Sequence, residues 1–206
     1  MKFIFARHGE STSNTEKIIA NRDDTHGLTE KGIRQAEDLA ARLSNGKILQ
    51  VYSSPLRRAH QTGFIVADKL GISMSIEEAL REFDCGNLEG RSDKESWASF
   101  IDLFQAWLRG ERKDEAMAGG ESIQDISNRF SPFIDKLINE MKGKEGSLLL
   151  VSHGGVLYTM LPLILSNISY EYASATLIGN TDVVVAEESN SSLICREWCG
   201  QQVKDE

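Results

Sequence analysis

The stretch that decides the fold is Ser147-Leu148-Leu149-Leu150-Val151-Ser152-His153-Gly154-Gly155. Its nearly continuous apolar run is typical of a central strand that is buried on both faces of a sheet. His153 follows at the expected end of this strand, and a helix is expected to begin after it. The stretch therefore predicts a buried strand that carries a histidine at its carboxyl end.

Outward from this stretch, strand and helix patterns alternate along the chain. The predicted strands are 2–6, 48–53, 73–76, 147–151, 182–187 and 192–198. The predicted helices run from a cap at Thr29 to about 43, from Pro55 to about 70, over 92–109, over 121–141 and after His153. Pro132 should kink or split the fourth helix, and the tail 201–206 should fray. This order predicts an α/β fold with a mostly parallel central sheet covered by helices on both sides.

The chain is expected to form one domain over residues 1–206. The region from Leu80 to Gly120 is irregular and rich in glycine, and we interpret 83–120 as a small helical insertion over one end of the sheet. In parallel sheets, ligands bind beyond the carboxyl ends of the strands. The insertion is therefore expected to cover an active site there.

Composition excludes several classes of function. The net charge of −8 argues against nonspecific nucleic-acid binding and against binding to anionic membranes. No apolar run approaches the roughly 20 residues of a transmembrane helix. Three cysteines without a signal peptide indicate free thiols in a reducing, cytoplasmic location. We expect neither nucleic acid nor membrane as a partner, and a homodimer remains an open alternative.

Two histidines stand at predicted strand ends. In Arg7-His8-Gly9-Glu10-Ser11, a nucleophilic ring lies next to a guanidinium that suits phosphate, and Gly9 leaves room for a ligand. His153 repeats the pattern of an apolar strand, a histidine and a glycine. The alternatives are a surface histidine beside an ion-paired arginine, and a histidine that only supports the site.

Two further segments carry candidate residues. Ser53-Ser54-Pro55-Leu56-Arg57-Arg58 places hydroxyls and arginines at a helix N-terminus, where only one of the two arginines should face an anion. Glu82 lies between apolar neighbours, and a buried carboxyl of raised pKa can donate a proton. A capped helix with solvated arginines and a surface glutamate are the alternatives.

Taken together, these segments resemble the histidine phosphatase superfamily in its phosphoglycerate mutase-like branch 1. The resemblance is carried, in family order, by Arg7-His8-Gly9-Glu10, Asn14, Ser53-Ser54, Arg58-Ala59, Gln61-Thr62, Glu82, Glu89-Gly90, Gly120-Glu121-Ser122 and Ser152-His153-Gly154-Gly155. It implies a phosphoglycerate mutase-like, three-layer αβα sandwich. It also implies an enzyme that needs neither a metal nor a cofactor.

The resemblance implies a role for each matched position. His8 would be the nucleophile that becomes phosphorylated, and Glu82 would donate a proton to the leaving group and then activate water. The phosphoryl group would be bound by Arg7, Ser11, Asn14, Arg58, His153 and Gly154. Phosphoryl transfer depends on positioning and charge neutralisation, which these residue types supply.

Some residues depart from the family pattern or lie outside it. The loop 20–28 has Gly27 where many members have proline, and its Arg22 and His26 are either substrate contacts or solvated residues. His60 is expected on a helix surface. Trp97, Phe100, Phe104 and Trp107 follow helical spacing and predict a packing stripe whose end lines the pocket. Cys195 and Cys199 are expected on one face of a strand.

The resulting hypothesis is a phosphatase that hydrolyses a small phosphorylated metabolite through a phosphohistidine on His8. The short, polar segment between Glu82 and His153 favours hydrolysis, because related mutases carry more chain there. A 2,3-bisphosphoglycerate-dependent phosphoglycerate mutase is the first alternative. A catalytically silent member that binds a phospho-ligand or a protein partner is the second.

Overall fold

The computed structural model describes residues 1–189 and 192–204. Over these residues the strands are β1 (Lys2–Arg7), β2 (Ile48–Ser53), β3 (Met74–Ile76), β4 (Ser147–Ser152), β5 (Val183–Ser189), β6 (Ser192–Trp198) and β7 (Gln201–Gln202). The α-helices are α1 (Thr12–Glu16), α2 (Glu30–Leu43), α3 (Arg57–Leu70), α4 (Lys94–Leu108), α5 (Ile123–Met141), α6 (Gly154–Ile164) and α7 (Tyr170–Ala175). Two short 3₁₀ turns lie at Glu78–Leu80 and Gly86–Leu88.

The strands form one sheet in the order β3-β2-β4-β1-β5-β6-β7. The first four strands of this order pair in parallel, and the last three are added by antiparallel pairing. The sheet is therefore mixed, with its parallel half carrying the strand ends that the sequence singled out. The predicted α/β class is confirmed.

The two central strands are buried on both faces, as the apolar pattern of 147–151 predicted. Alternate side chains of β1 and β4 enter two separate apolar clusters because successive residues of a strand point to opposite faces. The cluster around Ile4 and Leu149 includes Leu39 of α2 and Val66 of α3. The cluster around Phe3, Phe5, Leu148 and Leu150 includes Phe130 of α5 and Leu157 of α6. Helices thus cover each face of the sheet, which gives three layers.

The structure corrects three of the local predictions. Helix α5 runs continuously through Pro132, so the split that was one of the two predicted outcomes is wrong, although proline cannot donate the backbone hydrogen bond of that position. Phe130 and Phe133, on either side of the proline, are buried and hold both halves against the sheet. Gln201–Gln202 pairs with β6 and so belongs to a strand. Helices α1 and α7 were missed because five or six residues show too little periodicity.

The region predicted as an insertion places α4 over the carboxyl ends of the parallel strands. Asp93 caps α4 by accepting the N–H of Ser96 at 2.9 Å. The aromatic side chains of the helix pack on Phe83, whose ring stacks with those of Phe100 and Phe104 at centroid distances of 5.6 and 6.0 Å. The stripe is therefore a packing surface, as predicted, and it also reaches the cavity described below.

Helix α2 packs unusually close to the loop that follows β1. A Cβ on Gly9 would lie 2.6 Å from the carbonyl oxygen of Gly32, and a Cβ on Gly32 would lie 2.0 Å from the carbonyl oxygen of Glu10. The space beside Gly9 is filled by the α2 backbone. The expectation that Gly9 leaves this room for a ligand is thus replaced by a close approach of two backbone segments.

Candidate active site

The candidate site lies where β1, β2 and β4 end. Because β1 and β4 pair in parallel with Arg7 opposite Ser152, the residues that follow each strand become neighbours. The pairing continues beyond the strands, since the N–H of His8 donates to the carbonyl of Ser152 at 3.0 Å. The rings of His8 and His153 consequently lie 5.1 Å apart between centroids. The two histidines far apart in sequence are brought together.

The His8 ring is held in one tautomer by its partners. Its Nδ1 lies 2.7 Å from the carbonyl oxygen of Gly9, which can only accept, so Nδ1 carries the proton. Its Nε2 lies 3.2 Å from Nε of Arg58, which can only donate, so Nε2 presents a lone pair. Burial and the charges of Arg58 and Arg7 hold the pKa of His8 well below its usual value. The ring is therefore neutral and nucleophilic at Nε2 near pH 7.

Two guanidinium groups flank His8 without a carboxylate partner. Arg58 is 3% exposed, and its Nη1 has no hydrogen-bond acceptor. Arg7 donates from Nη1 to the carbonyl of Ile178 at 2.8 Å, while its Nε is buried without a partner. Among the ion pairs of the described residues, none involves either arginine. Since burying unpaired charge is costly, this arrangement is suited to bind an anion.

His153 is oriented by the second serine of the β2–α3 junction. Its Nε2 lies 2.8 Å from Oγ of Ser54, while its Nδ1 is buried without a partner. Oγ of Ser54 already accepts the N–H of Leu56 at 3.2 Å, so the hydroxyl proton is available to Nε2. That tautomer leaves an N–H on Nδ1 for an anion. Burial, Arg58, His8 and Arg7 all lower the pKa of His153, so its ring is neutral before an anion binds.

Glu82 lies at the first turn of α6. Its carboxyl accepts backbone N–H groups from Gly155 at 3.0 Å, Val156 at 2.9 Å and Phe83 at 3.1 Å. Burial of the carboxyl raises its pKa, although these hydrogen bonds and the charge of Arg58 act in the opposite direction. A Cβ on Gly155 would lie 2.7 Å from Oε1 of Glu82, so only glycine fits there. The sequence-based expectation of a raised pKa is consistent with this geometry.

Arg7, His8, Arg58 and Glu82 line one cavity of about 260 Å³, whereas His153 is fully buried and is not part of this lining. Its lining comprises Arg7, His8, Ser13, Asn14, Ile18, Ile19, Ala20, Asn21, Arg58, Glu82, Phe83, Trp97, Phe100, Phe104, Gly154, Gly155 and Tyr158. We call the part around His8, Arg7 and Arg58 the phosphoryl end, and the part formed by 18–21 and the aromatic side chains of α4 the alcohol end. The volume lies slightly below the range of about 300–1,000 Å³ that is typical of ligand pockets, which suits a small molecule.

Of the predicted ligand contacts, Asn14 lines the cavity and Ser11 does not. Oδ1 of Asn14 accepts the N–H of Ser11 at 3.1 Å, which leaves the amide nitrogen of Asn14 as the group that can donate to a ligand. Ser11 is fully buried, and its hydroxyl pairs with that of Ser13 at 2.9 Å. Ser11 therefore precedes and supports α1, while Ser13 occupies the wall that the sequence assigned to Ser11.

The other basic residues named from the sequence point elsewhere. Arg58 faces His8, whereas Arg57 is exposed and its guanidinium lies 3.4 Å from the carbonyl of Thr25, so one arginine of the pair faces the site as expected. Arg22 is exposed and pairs with Asp84 at 3.4 Å. His26 lies 3.0 Å from the hydroxyl of Thr12 and does not line the cavity.

The sequence did not reveal how the loop 20–23 is held. Glu89 accepts the backbone N–H groups of Asn21 at 3.0 Å, Arg22 at 3.1 Å and Asp23 at 2.8 Å. The thiol of Cys85 lies 3.1 Å from the same carboxylate. Burial alone would raise the pKa of Glu89, but these hydrogen bonds bring it below its ordinary value. The carboxylate thus fixes one wall of the cavity. In the sequence, the only indication of a role for Glu89 was the Glu89-Gly90 segment of the family resemblance.

The cysteines are free, and the expectation of a shared strand face for two of them is wrong. Cys195 is buried in β6, whereas Cys199 lies just beyond that strand with a φ of 49°. A residue in this left-handed conformation leaves the alternation of the strand, so position 199 does not follow position 195.

Residues 1–189 and 192–204 contain neither a cluster of metal ligands nor a membrane-spanning helix. No three histidine, cysteine, aspartate or glutamate side chains gather there as metal ligands would. No helix in that part of the chain is both long and apolar enough to cross a bilayer.

Comparison with known proteins agrees with the site geometry. The sequence matches the histidine phosphatase superfamily (branch 1) over residues 3–200, and the chain belongs to this family. It is 34% identical over 174 residues to GpmB of Enterobacter sp. (strain 638), a protein named as a probable phosphoglycerate mutase. This alignment covers 82% of this chain and 77% of that protein. It is 30% identical over 163 residues to a Hydrogenobacter thermophilus protein provisionally named phosphoserine phosphatase 2, with 79% and 78% covered.

A solved structure supports the fold. The mycobacterial glucosyl-3-phosphoglycerate phosphatase in complex with VO3 superposes with a TM-score of 0.81, covering 95% of this chain and 96% of that one at 24% identity. At this identity the likeness concerns the fold alone. The relatives by sequence include proteins named for phosphatase and for mutase activity, and the site must distinguish between the two.

Proposed function

We propose that the protein is a phosphatase that hydrolyses small phosphate monoesters through a phosphohistidine on His8. The observation that carries the proposal is the lone pair on Nε2 of His8, which lies beside the buried guanidinium of Arg58 and near the partly buried guanidinium of Arg7. Among the described residues, neither arginine has a carboxylate partner. A phosphate monoester carries about two negative charges at neutral pH, which Arg7 and Arg58 would neutralise. Asn14, Gly154 and the Nδ1 side of His153 would complete the phosphoryl contacts.

In the first step, Nε2 of His8 attacks phosphorus and the bond from phosphorus to the ester oxygen breaks. The departing oxygen takes a proton from the Glu82 carboxyl, whose raised pKa keeps that proton available. The alcohol then leaves, and His8 carries the phosphoryl group. Arg7 and Arg58 stabilise the charge on the transferring oxygens throughout the step.

In the second step, the Glu82 carboxylate removes a proton from water while the water oxygen attacks phosphorus. The bond from phosphorus to Nε2 breaks, and inorganic phosphate leaves. His8 recovers its lone pair and Glu82 recovers its proton, so both residues return to their starting states. Two group transfers at one nucleophile predict ping-pong kinetics.

The charge of the cavity favours hydrolysis over mutase activity. Among the described residues that line the cavity, the positively charged side chains are Arg7 and Arg58, and both lie at the phosphoryl end, where His8 is neutral. A mutase must retain a bisphosphate that also carries a carboxylate, which calls for further cations. The alcohol end supplies aromatic and aliphatic side chains instead. A phosphoglycerate mutase, suggested by the name of the Enterobacter relative, is the second candidate.

One pair of experiments tests the proposal. Incubation with 3-phosphoglycerate should release inorganic phosphate without accumulation of 2-phosphoglycerate; the reverse result would favour the mutase. His8→Ala should lower the hydrolysis of 4-nitrophenyl phosphate by about 10⁴-fold or more, as loss of a nucleophile does. His60→Ala, a change on helix α3 outside the cavity lining, is the matched control and should remain active.

A further inference from the structure

Asn21 carries an unused hydrogen-bond donor in the cavity wall. Four buried side-chain polar atoms of the described residues lack a partner: Arg7 Nε, Arg58 Nη1, His153 Nδ1 and Asn21 Nδ2. The first three belong to the phosphoryl end. Asn21 is only 9% exposed and lines the alcohol end of the same cavity. Because a buried amide N–H without an acceptor costs free energy, Asn21 is suited to bind an acceptor that the protein itself does not supply.

The backbone of Asn21 is held in place. Its N–H donates to Glu89, and the two following N–H groups donate to the same carboxylate. The loop backbone from which the side chain extends is therefore fixed, which reduces the backbone entropy lost when a ligand binds.

Nδ2 of Asn21 has no partner in the neighbouring cavity either, although carboxylates line that cavity. A second cavity shares Asn21 and Glu82 with the cavity described above. The lining of this neighbouring cavity also includes two arginine–glutamate pairs. Arg129 pairs with Glu121 at 2.9 Å, and Arg81 pairs with Glu78 at 3.4 Å. Asp84, which also lines this cavity, pairs with Arg22 at 3.4 Å, and Nδ2 of Asn21 has no partner among these groups.

The surroundings of Asn21 limit what can be bound there. The nearby lining includes Ile18, Ile19, Trp97, Phe100 and Phe104. The cationic lining at Arg7 and Arg58 would be used by the phosphoryl group. The alcohol part of a substrate would therefore meet apolar surface and one amide donor, an environment that favours an uncharged group.

We propose that Asn21 is a specificity-determining residue that donates a hydrogen bond to an oxygen on the alcohol part of the substrate. The substrate class is a monophosphate ester of a small, uncharged alcohol with an apolar or aromatic body and one acceptor oxygen. This inference rests on the proposed phosphatase function and adds a substrate class to it.

The test compares two esters of similar shape, 3-acetylphenyl phosphate and 3-ethylphenyl phosphate. Only the first has a carbonyl acceptor on the ring. Each variant is compared with the wild type on the same ester, so differences in leaving-group reactivity cancel. Asn21→Leu should lower kcat/KM for the acetyl ester by about 5- to 10-fold, the effect expected of one lost hydrogen bond, and change the ethyl ester less than about 2-fold.

Two controls accompany the test. Inhibition by orthovanadate, a mimic of the phosphoryl group, should be the same in wild type and Asn21→Leu. Asn128→Leu, an exposed change on α5, should alter neither ester. Replacing an unpaired buried amide by an apolar group of similar size should leave the melting temperature unchanged or raised. If Asn21→Leu melts lower, Asn21→Ser provides the same comparison.

The remaining outcomes would contradict either the role of Asn21, the substrate class or the proposed function. Equal losses on both esters with weaker orthovanadate inhibition would assign Asn21 to the phosphoryl group. Unchanged values on both esters would remove Asn21 from substrate binding. A wild-type preference for phosphoserine or 3-phosphoglycerate over both aryl esters would contradict an uncharged alcohol. If the wild type hydrolyses no ester in the set, the proposed function fails, whereas the Asn21 result concerns only this inference.

Discussion

The phosphoryl end and the alcohol end of the cavity are built from different parts of the fold. At the phosphoryl end, Arg7 is the last residue of β1, and His8 and His153 directly follow the paired parallel strands β1 and β4, so the register of the sheet positions all three. At the alcohol end, the loop 18–21 and the aromatic side chains of α4 meet across the cavity. The loop depends on Glu89, and α4 depends on packing against Phe83. A rigid chemical centre is thus combined with a wall that can vary without moving the nucleophile.

Among the substitutions that distinguish the two ends of the cavity, we expect the largest loss of activity for a change at Glu82. Glu82→Gln keeps the shape but removes the transferable proton, so hydrolysis of alkyl phosphates should fall by about 10²- to 10⁴-fold. Esters of acidic phenols need less protonation and should lose less. Glu78→Gln, an exposed change nearby, is the control. Equal losses for alkyl and aryl esters would show that Glu82 does not protonate the leaving group.

The pH profile of kcat/KM sharpens the same assignment. The pKa of His8 is lowered and His8 must be neutral to attack, so activity should fall as the pH drops through this lowered pKa. The pKa of Glu82 is raised and Glu82 must be protonated to donate, so activity should fall as the pH rises through this raised pKa. Glu82→Gln should abolish the alkaline limb and keep the acid limb. Retention of both limbs in the variant would contradict the assignment.

A smaller effect is expected for Ser54→Ala at the phosphoryl end. Loss of the hydroxyl removes the hydrogen bond to Nε2 of His153, so the tautomer with a proton on Nδ1 loses its support. Inhibition by orthovanadate should weaken by about 3- to 10-fold, the effect of one hydrogen bond. Ser53→Ala is the matched control, since its hydroxyl donates to the backbone carbonyl of Ser54 at 2.8 Å. Identical inhibition of wild type and Ser54→Ala would exclude this orienting role.

The smallest effect is expected at the alcohol end, for Phe100→Ala. Phe100 lines the cavity and is only partly buried, so its removal should raise KM for phenyl phosphate by about 3-fold through lost apolar contact. Inhibition by orthovanadate should not change, because the phosphoryl end is untouched. Phe64→Ala, at a position 57% exposed on α3, is the control. A loss of orthovanadate affinity in Phe100→Ala would show that the two ends are not independent.

Sequence reasoning reached the phosphoryl end more fully than the alcohol end. His8 and His153 could be paired in advance because both follow apolar strands, and parallel strands end at one edge of a sheet. The contacts that hold the loop 20–23 could not be predicted, because Glu89 lies 66 to 68 residues along the chain from the N–H groups that donate to it. Ser11 was misassigned for a similar reason: only its pairing with Ser13 shows which serine faces the cavity.

The secondary structure was likewise predicted well where local sequence determines it, and less well where contacts between distant residues determine it. The strands 48–53 and 192–198 were predicted at their observed bounds, since alternation and turn residues mark them locally. Helix α5 continues through Pro132 because tertiary burial of its neighbours outweighs a local preference. Patterns in sequence therefore indicated which residues gather at the candidate site, while long-range contacts decided the shape of the cavity around them.

The most direct test of the central claim is the trapping of the intermediate. Wild-type protein is mixed with 4-nitrophenyl phosphate, quenched in alkali within the first turnover, and analysed by phosphorus NMR and peptide mass spectrometry. The account predicts an acid-labile, alkali-stable phosphoryl group on Nε2 of His8 that forms and decays at rates compatible with turnover. Hydrolysis at the normal rate with no phosphoryl group on His8, or with one on another residue, would contradict it.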